Sequence, residues 1–514
     1  MRADRIRRLI ERFSNGIHGK EEVQRLTLLA AIAGENVFLY GNPGLAKSMV
    51  ARRLASVFRD ATLFEYLLSG YTTPDELFGP VSIRALREED TLRRNTTGYL
   101  PEADIAFLDE LWNASSPILN TLLNAVGERR FRNGSAFVAI PLRTTLASAA
   151  RLPDEDAGLA QLWDRFLLRI PVESIAGRDS FIALVTSDGD DSDGAGAGDT
   201  EETDAISRED LAEWERAVDA VSVPPEILDL IYDIRERIAR HNSMSDRTDP
   251  AAGIFVSDRR WKRAVRLLRC SAFLNEREFV TPLDTVLLRH VLWSREEQRD
   301  AIDTIIREAL RRYSRSGTYD PVPYQERSSA LSESIRVAGL MVETVEVPVE
   351  YRGEYYRIVD FVEDHLSLIW IGDYQALDDK SPRETDLFFY GDEEEYAYSE
   401  RFAVRRIDAV TLEVDGESFP IETETIDRER AEPAEIEASR RAALIAEIES
   451  LREEIETTLE NIAGSRAAGD REAAEHLFVH RRYAEIVFEG MDEATLELTR
   501  IKLELDDSLE ALRS

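Results

Sequence analysis

Cysteine, lysine and long apolar runs are all scarce in this chain of 514 residues. The one cysteine, Cys270, excludes a disulfide framework within the chain, and its place in a periodic apolar segment predicts a small core side chain. No uninterrupted apolar run approaches the ~18 residues of a membrane span, and the basic N-terminal residues lack the apolar stretch of a signal peptide. These absences predict a soluble, cytoplasmic protein without stable membrane insertion.

Positive charge is also in deficit. The chain has 100 Asp and Glu against 64 Lys and Arg, a formal net charge of −36, and only five of the cations are lysines. Such a surface repels phosphate backbones, so nucleic-acid binding is disfavoured. Two origins of the acidity stay open. A salt-rich cytoplasm selects carboxylates because they keep a screened protein hydrated, and an arginine-favouring genome combined with ordinary acidity gives the same composition.

A glycine-bearing turn joins the apolar strand pattern 37–40 to a helical pattern that begins at Met49. Backbone N–H groups in such a turn attract phosphate, as does the open N-terminus of the helix. In the closing Lys-Ser pair, Lys47 reaches the β- and γ-phosphates and Ser48 ligates Mg²⁺. Ala46 replaces the usual second glycine, so we expect φ below zero or mild strain there. The predicted ATP-binding residues are Gly41, Asn42, Pro43, Gly44, Leu45, Ala46, Lys47 and Ser48.

A second apolar run, 105–108, ends in the adjacent acids Asp109 and Glu110. In a nucleotide hydrolase, the aspartate at such a strand end holds Mg²⁺ and the glutamate polarises the attacking water. Acids at strand ends are commonly only solvated, but the phosphate loop upstream favours the catalytic interpretation. The sequence therefore predicts ATP and Mg²⁺ as cofactors, with Ser48 and Asp109 as the metal ligands.

Four segments carry a family resemblance. Gly-Tyr-Leu-Pro-Glu-Ala-Asp-Ile-Ala-Phe-Leu-Asp-Glu at 98–110 and Leu-Asn-Thr-Leu-Leu-Asn-Ala at 119–125 resemble the MoxR-type AAA+ ATPases. Phe-Arg-Asn-Gly at 131–134 and Val-Ser-Asp-Arg-Arg-Trp-Lys at 256–262 are most similar to the regulatory ATPase variant A (RavA) group. The resemblance covers roughly residues 17–293. It implies an α/β P-loop core with helices on both faces of a parallel sheet, an all-α lid, and a helical domain that carries an inserted small β-barrel or sheet.

Composition and periodicity divide the chain along the same lines. A segment rich in Asp, Gly and Ser has too little apolar surface to fold, and helical and alternating patterns follow it. For the helical stripe near the C-terminus, an isolated coiled coil is the alternative. The predicted domains are the α/β core at 1–185, the flexible acidic linker at 186–204, the all-helical lid at 205–315, the triple-helix-like C-terminal domain at 316–337 and 426–514, and the inserted β-module at 338–425.

Local patterns give further predictions. The Asn-Gly pair at 133–134 lies between two short extended runs and predicts a hairpin with a type I′ turn. Periodicity predicts one helix over 285–313, and Gly464 to Asp470 predicts a break in the long C-terminal helix. In the family, the hairpin and the insertion 78–99 face the pore of a ring.

The resemblance also implies roles for residues outside the two motifs. Arg165, in Asp-Arg-Phe, corresponds to the arginine that stabilises the transferring phosphoryl group in the neighbouring subunit. Arg259 corresponds to the sensor-2 arginine that contacts the γ-phosphate in cis, with Arg260 a close competitor. Ile17 and His18 correspond to residues that pack the adenine, although His18 could equally be a surface histidine.

The chain departs from its relatives at the sensor-1 position. Relatives end this strand with a polar residue, usually Asn, and the aligned residue here is Ala150. Alanine cannot orient a water. Either Ser148 or another polar side chain substitutes, or hydrolysis is slow.

The resemblance implies a homo-oligomeric ring, expected to be a hexamer, that hydrolyses Mg-ATP at its subunit interfaces. It further implies chaperone-like remodelling or maturation of protein clients, with a von Willebrand factor A domain protein as partner. The alternative is a nucleotide-gated assembly scaffold with little or no hydrolysis that docks clients through the β-module. Ala150 favours the scaffold, whereas Asp109, Glu110 and Arg165 favour the enzyme. A DNA helicase or helicase loader is disfavoured by the charge.

Overall fold

The chain divides into two compact units. The computed structural model describes residues 2–88, 90–153, 159–186, 204–244, 253–315, 319–362, 365–391, 396–431 and 436–513. The predicted acidic linker lies almost wholly outside these residues. In the part of the chain that is described, no helix is long and apolar enough to cross a membrane. The first unit comprises Met1–Asp320 and Thr458–Glu497, and the second comprises Pro321–Thr457 and Leu498–Ser514.

A parallel sheet of five strands lies at the centre of the first unit. Its strands are short and mostly buried, as expected where helices cover both faces. The strands of the unit are β1 (Asn36–Tyr40), β2 (Leu63–Leu67), β3 (Ile105–Asp109), β4 (Arg130–Asn133), β5 (Ala136–Ala139), β6 (Thr144–Ala149) and β7 (Phe166–Pro171). The parallel sheet has the order β2-β3-β6-β1-β7, and β4 and β5 form a separate hairpin. The predicted P-loop core is confirmed.

Helices complete this unit. Those around the sheet are α1 (Arg2–Ser14), α2 (Glu21–Ala33), α3 (Lys47–Ala55), α4 (Pro74–Phe78), α5 (Ile83–Glu88), α6 (Ser116–Glu128), α7 (Ala160–Trp163) and α8 (Arg178–Thr186). The all-helical lid contains α9 (Arg208–Ala220), α10 (Pro225–Met244), α11 (Asp258–Leu274), α12 (Pro282–Thr285) and α13 (Arg299–Ser314).

The prediction of one helix over 285–313 is wrong. Val286–His290 is a 3-10 turn, and α13 begins only at Arg299. The cause is a competing set of hydrogen bonds, because the carbonyl of Trp293 accepts from the buried Arg169 guanidinium and that of Ser294 accepts from Trp163 Nε1 at 3.2 Å. Backbone acceptors committed to the core cannot continue a helix.

The predicted hairpin is confirmed, but its turn lies one residue further on and is not type I′, because only Gly134 of the two turn residues has positive φ. Asn133 pairs with Ala136, so the two turn residues are Gly134, with φ of 67°, and Ser135. The Asn133 side chain accepts from the backbone N–H of Arg94 at 2.7 Å and donates to its carbonyl at 3.3 Å. The hairpin is therefore attached to the insertion 78–99.

The second unit carries the β-module. Its helices are α14 (Val322–Ala338), α15 (Ile371–Gln375) and parts of α16 (Ala438–Glu475) and α17 (Ala484–Arg513). Its strands are β8 (Leu340–Pro348), β9 (Glu350–Tyr351), β10 (Tyr355–Ile358), β11 (Leu366–Trp370), β12 (Arg383–Tyr390), β13 (Tyr396–Arg406), β14 (Thr411–Val414), β15 (Glu417–Pro420) and β16 (Thr423–Ala431).

The module has the topology of an insertion. The chain enters it through β8 and leaves through β16, and these two strands pair antiparallel along their whole length. Between them, β9 to β15 form a seven-stranded antiparallel sheet in sequential order. One side of that sheet packs the buried residues Leu387, Phe389, Val404 and Leu412. The predicted β-module, inserted between helices, is confirmed.

The predicted break in the C-terminal helix is wrong, since α16 runs through Gly464 to Asp470. A Cβ on Gly469 would lie 2.4 Å from the Phe488 ring, so the glycine permits close packing of α16 against α17 rather than a turn. The chain turns instead after His476, whose Nδ1 accepts the backbone N–H groups of Phe478 at 3.2 Å and Val479 at 3.0 Å. The predicted C-terminal helical domain is thus divided, because the segment around this turn belongs to the first unit.

A buried ionic cluster anchors this segment inside the first unit. Asp284 is fully buried and pairs with Arg277 at 2.6 Å. His476 Nδ1 is already an acceptor, so Nε2 carries the ring hydrogen and donates to Asp284 at 3.2 Å. Burial alone would raise the pKa of the Asp284 carboxyl, but Arg277 and His476 hold it well below its usual range.

We expect Asp284→Ala to destabilise the first unit by about 3–5 kcal/mol, because it leaves the largely buried Arg277 charge with only its longer pair to Glu472 at 3.4 Å. Urea unfolding followed by tryptophan fluorescence measures this. The depressed pKa means that the stabilisation is complete above the unfolded-state value of about 4 and is lost as the pH falls below it. The difference in unfolding free energy between Asp284→Ala and wild type should therefore become smaller at acidic pH.

The matched control is Glu308→Gln, which removes a carboxylate that pairs with Arg237 and is 54% exposed. Exposed pairs contribute at most about 1 kcal/mol. An Asp284→Ala effect no larger than that of the control would contradict the anchoring role of the cluster.

Candidate functional site

The predicted phosphate loop connects the carboxyl end of β1 to the start of α3. Gly44 has φ of 82°, and a Cβ there would meet nothing within 4 Å, so the loop is open on that side. Ala46 has φ of 62°, the strained alternative of the two expected for it. It precedes α3 without a side-chain cap. The first N–H groups of α3 have no intrahelical partners and are available to an anion.

Lys47 connects the loop to the acids of β3. Its side chain is largely buried, and Nζ donates to the carbonyls of Gly41 and, at 3.4 Å, Asn42. Burial lowers the pKa of Lys47, and the nearby charges of Asp109 and Glu110 oppose that shift. The phosphate loop and the acidic strand end therefore lie together, as predicted.

Asp109 and Glu110 adopt different conformations at the end of β3. Asp109 Oδ1 accepts from the Ser148 hydroxyl on the neighbouring strand β6 and from the Glu110 N–H at 3.1 Å. Glu110 has φ of 52°, a left-handed conformation that costs a non-glycine residue on the order of 1–3 kcal/mol. Asn113 Nδ2 donates to its carboxylate at 3.4 Å. Strain of this kind is characteristic of functional positions.

Arg165 lies at the opposite edge of the sheet. It immediately precedes β7, which runs parallel to β1 with Asn36 opposite Phe166 and Tyr40 opposite Pro171. At ~3.3 Å per residue, roughly 15–20 Å separates Arg165 from the loop that follows Tyr40. Its carbonyl accepts from Asn36 Nδ2 at 3.1 Å, which fixes it at the amino end of β1.

Arg259 lies beside Arg165, and both line a cavity of about 990 Å³ that reaches Tyr40 at the end of β1 and Arg151 just past the end of β6. The two also line a smaller cavity of about 700 Å³ together with Glu35, at the amino edge of the sheet. Arg260, its competitor, is buried and pairs with Asp164 at 2.9 Å. The cis contact of Arg259 with the γ-phosphate stays a prediction. The smaller cavity is also cationic in a strongly acidic chain, because Arg129, Lys262, Arg263, Arg266 and Arg269 line it.

Comparison with known proteins decides the family. Residues 4–214 match the MoxR domain of MoxR-vWA-beta-propeller ternary systems, and residues 226–306 match an AAA lid domain. Two uncharacterised proteins of Methanocaldococcus jannaschii are each 34% identical, over 287 and 279 residues, which is 56% and 54% of this chain and 68% of each relative. The chain belongs to the MoxR family of AAA+ ATPases. Its place in the RavA group stays a prediction.

Two other similarities cover less or are weaker. A structural protein of Acidianus two-tailed virus is 28% identical over 170 residues, which is 32% of this MoxR-type chain and 28% of the viral protein. A crystal structure of a candidate ATPase from Cytophaga hutchinsonii has a TM-score of 0.45 and 18% identity, and covers 60% of this chain and 94% of its own.

The residues at the loop fit the Mg²⁺ that the family uses. Mg²⁺ prefers hard oxygen ligands and is commonly held by one or two protein groups plus phosphates and water. Ser48 opens α3 next to Lys47, and Lys47 is close enough to Asp109 to respond to its charge. A hydroxyl and a carboxylate are thereby brought to the same place.

The structure separates the two sensor-1 alternatives. Ala150 follows the end of β6 and its side chain is exposed, whereas Ser148 is buried and contacts the Asp109 carboxylate. Ser148 is therefore the polar side chain that this MoxR-type chain presents to the acidic strand end.

The two residues predicted to pack the adenine do not line the nearby cavity. Ile17 is 3% exposed and belongs to the hydrophobic core, and His18 is half-buried. A cavity of about 510 Å³ begins instead at Gly19 and Lys20. Its other wall is the loop after β7, which sequence analysis missed, and Lys20 Nζ donating to the Glu173 carbonyl joins the two walls. The sequence feature that could have indicated this cavity is the Gly19-Lys20 pair.

We expect Ser148→Ala to lower kcat about tenfold with little change in KM, because a hydrogen bond to a charged carboxylate is lost at the metal-binding acid. Ala150→Asn should leave kcat within about twofold, since an exposed amide there is redundant. Steady-state ATPase kinetics of both variants measure this. A several-fold gain in Ala150→Asn with no loss in Ser148→Ala would reverse the assignment.

Proposed function

We propose that this MoxR-type chain hydrolyses Mg-ATP at the subunit interfaces of a homo-oligomeric ring and uses the cycle to remodel or mature protein clients. The observation that carries the proposal is the division of the site across the sheet. Lys47, Asp109 and Glu110 meet at the carboxyl edge, whereas Arg165 lies at the amino edge. In a ring, a second copy of the chain would bring its Arg165 to these phosphates.

Each residue has a distinct part in the proposed reaction. Lys47 and the N–H groups of α3 bind the phosphates in the ground state. Ser48 and Asp109 would hold a Mg²⁺ ion, which would supply positive charge to the phosphates. Ser148 orients Asp109 by donating to it. Glu110 orients the water that attacks the γ-phosphorus, and the products are ADP and phosphate.

Arg165 serves the neighbouring subunit in this proposal, and Arg259 contacts the γ-phosphate of its own subunit. Arg165 lies at the amino edge of the sheet, and Arg259 lines a cavity that also reaches Tyr40 at the carboxyl edge. Both cations stabilise the charge that spreads over the transferring phosphoryl group. Arg260 is excluded from this role by its buried pair with Asp164.

A partner with a von Willebrand factor A domain is proposed from the family. The matching domain model is described from MoxR-vWA-beta-propeller ternary systems, so a vWA protein, with a β-propeller as third component, is the partner class to test. Hexameric assembly is proposed on the same basis. The scaffold alternative differs from the enzyme in one measurable respect, which is that it does not turn over ATP. The contact between Ser148 and Asp109 favours the enzyme.

We expect Lys47→Ala to abolish ATP binding, whereas Glu110→Gln binds ATP but does not hydrolyse it. Lys47 supplies charge to the ground-state phosphates, and Glu110 acts in the chemical step. Calorimetric titration with Mg-ATP and a phosphate-release assay, each at low and high salt, measure the two effects. Lys380→Ala is the matched control because it removes an exposed lysine of the second unit. Equal ATP affinity in wild type and Lys47→Ala would refute the assignment.

We expect Arg165→Ala to retain ATP binding but to lose the stimulation of hydrolysis that accompanies assembly. Mixing it with Glu110→Gln should restore part of the activity, because some interfaces then combine an intact Glu110 with an intact Arg165. Turnover is measured across mixing ratios, with mixed rings verified by native mass spectrometry. Mixed rings without any recovery would count against a role in trans.

A further inference from the structure

We propose that the turn between α16 and α17, residues 476–483, forms a clasp over the cavity that receives the adenine base. Release of nucleotide then requires this turn to move. The inference rests on the proposed binding of ATP at the phosphate loop. It assigns to the C-terminal helices a part in the nucleotide site itself.

The cavity is placed for a base. It lies beside the phosphate loop, because the Val172 N–H donates to the Tyr40 carbonyl at 2.6 Å and a Cβ on Gly41 would lie 2.4 Å from the Val172 carbonyl oxygen. The cavity opens along the segment that follows Val172 and along Gly19 and Lys20. Its volume of about 510 Å³ is within the range of small-molecule sites.

The clasp supplies one wall of this cavity. Phe478, His480, Arg482 and Tyr483 line it, opposite the start of α2 and the loop after β7. The His480 and Tyr483 rings are suited to stack on a purine, and the Arg482 guanidinium is suited to donate hydrogen bonds to its ring nitrogens. The lid supplies a further wall through His290 and Trp293.

Polar contacts hold the clasp to the core. Arg482 pairs with Glu22 of α2 at 2.6 Å, and Arg25 donates to the Leu477 carbonyl at 3.1 Å. Burial alone would raise the pKa of Glu22, but its hydrogen bond with His290 and the charges of His290 and Arg482 lower it to about 2. Glu22 is therefore ionised and joins the core, the lid and the clasp.

A second set of contacts holds the clasp to the lid. The Arg289 guanidinium lies 3.8 Å from the centre of the Tyr483 ring, and the Leu477 N–H donates to Asn275 at 2.9 Å. Leu477, Phe478 and Val479 are buried in the core cluster. Since the clasp is attached on both sides of the cavity, a hinge motion of lid against core must strain or break one set of contacts.

The test compares Arg482→Gln, which removes the pair at the cavity, with Arg315→Gln. Arg315 pairs with Glu493 and Glu497 of α17 in the same unit but does not line the cavity. Stopped-flow release of a fluorescent ADP analogue should be about fivefold faster in Arg482→Gln and unchanged in Arg315→Gln. Glu22→Gln removes the same pair from the core side and should reproduce the effect if Arg482→Gln folds poorly.

A probe without a base separates a clasp from general loosening. Tripolyphosphate has no base and would contact the phosphate loop alone, so its affinity should be equal in wild type, Arg482→Gln and Glu22→Gln. The preference for ATP over GTP, in contrast, should fall in the two variants. Equal release rates in all proteins, or equal acceleration in the control, would overturn the clasp. If the wild-type protein does not bind ATP, both the proposed function and the clasp are overturned. If the wild-type protein binds ATP and Lys47→Ala does not, the proposed function is supported whatever the result for the clasp.

Discussion

The direction of a parallel sheet is the constraint on which the rest of this structure depends. All five strands run the same way, so the loops after them collect at one edge and the residues before them at the other. The phosphate loop and the Asp109-Glu110 pair meet because β1 and β3 end together. Arg165 is held at the far edge because it precedes β7. In the proposed function the chain contributes half a site from each of these two edges, and head-to-tail contacts that close into a ring would join the halves.

The motifs could be predicted because short-range rules determine them. A strand, a tight turn and a helix place Lys47 and Ser48 whatever surrounds them, and alternation places the β-module. The failures have long-range causes. The helix at 285–313 stops where Arg169, more than a hundred residues upstream in sequence, takes the Trp293 carbonyl. Gly469, within the predicted break at 464–470, is a packing site for Phe488 and not part of a turn.

The residues of the predicted phosphate loop lie in local motifs, whereas the cavity proposed for the base depends on residues far apart in the chain. Lys47 belongs to one short motif, and Asp109 and Glu110 belong to another. The cavity wall instead pairs Glu22 with Arg482, which lie near opposite ends of the chain. Arginine makes several of these distant connections, as in Arg169, Arg260 and Arg482. A planar guanidinium satisfies several acceptors at once and tolerates burial better than lysine. The scarcity of lysine is consistent with this use.

The single cysteine has a practical consequence. Cys270 is 1% exposed within α11, and burial raises the pKa of its thiol to about 12. Thiolate is the reactive form, so this sulfur is inert towards maleimides near neutral pH. A maleimide dye would therefore label only cysteines introduced on the surface, and the native thiol need not be replaced. With one introduced cysteine in each unit, a pair of dyes would give the distance between the two units directly in solution.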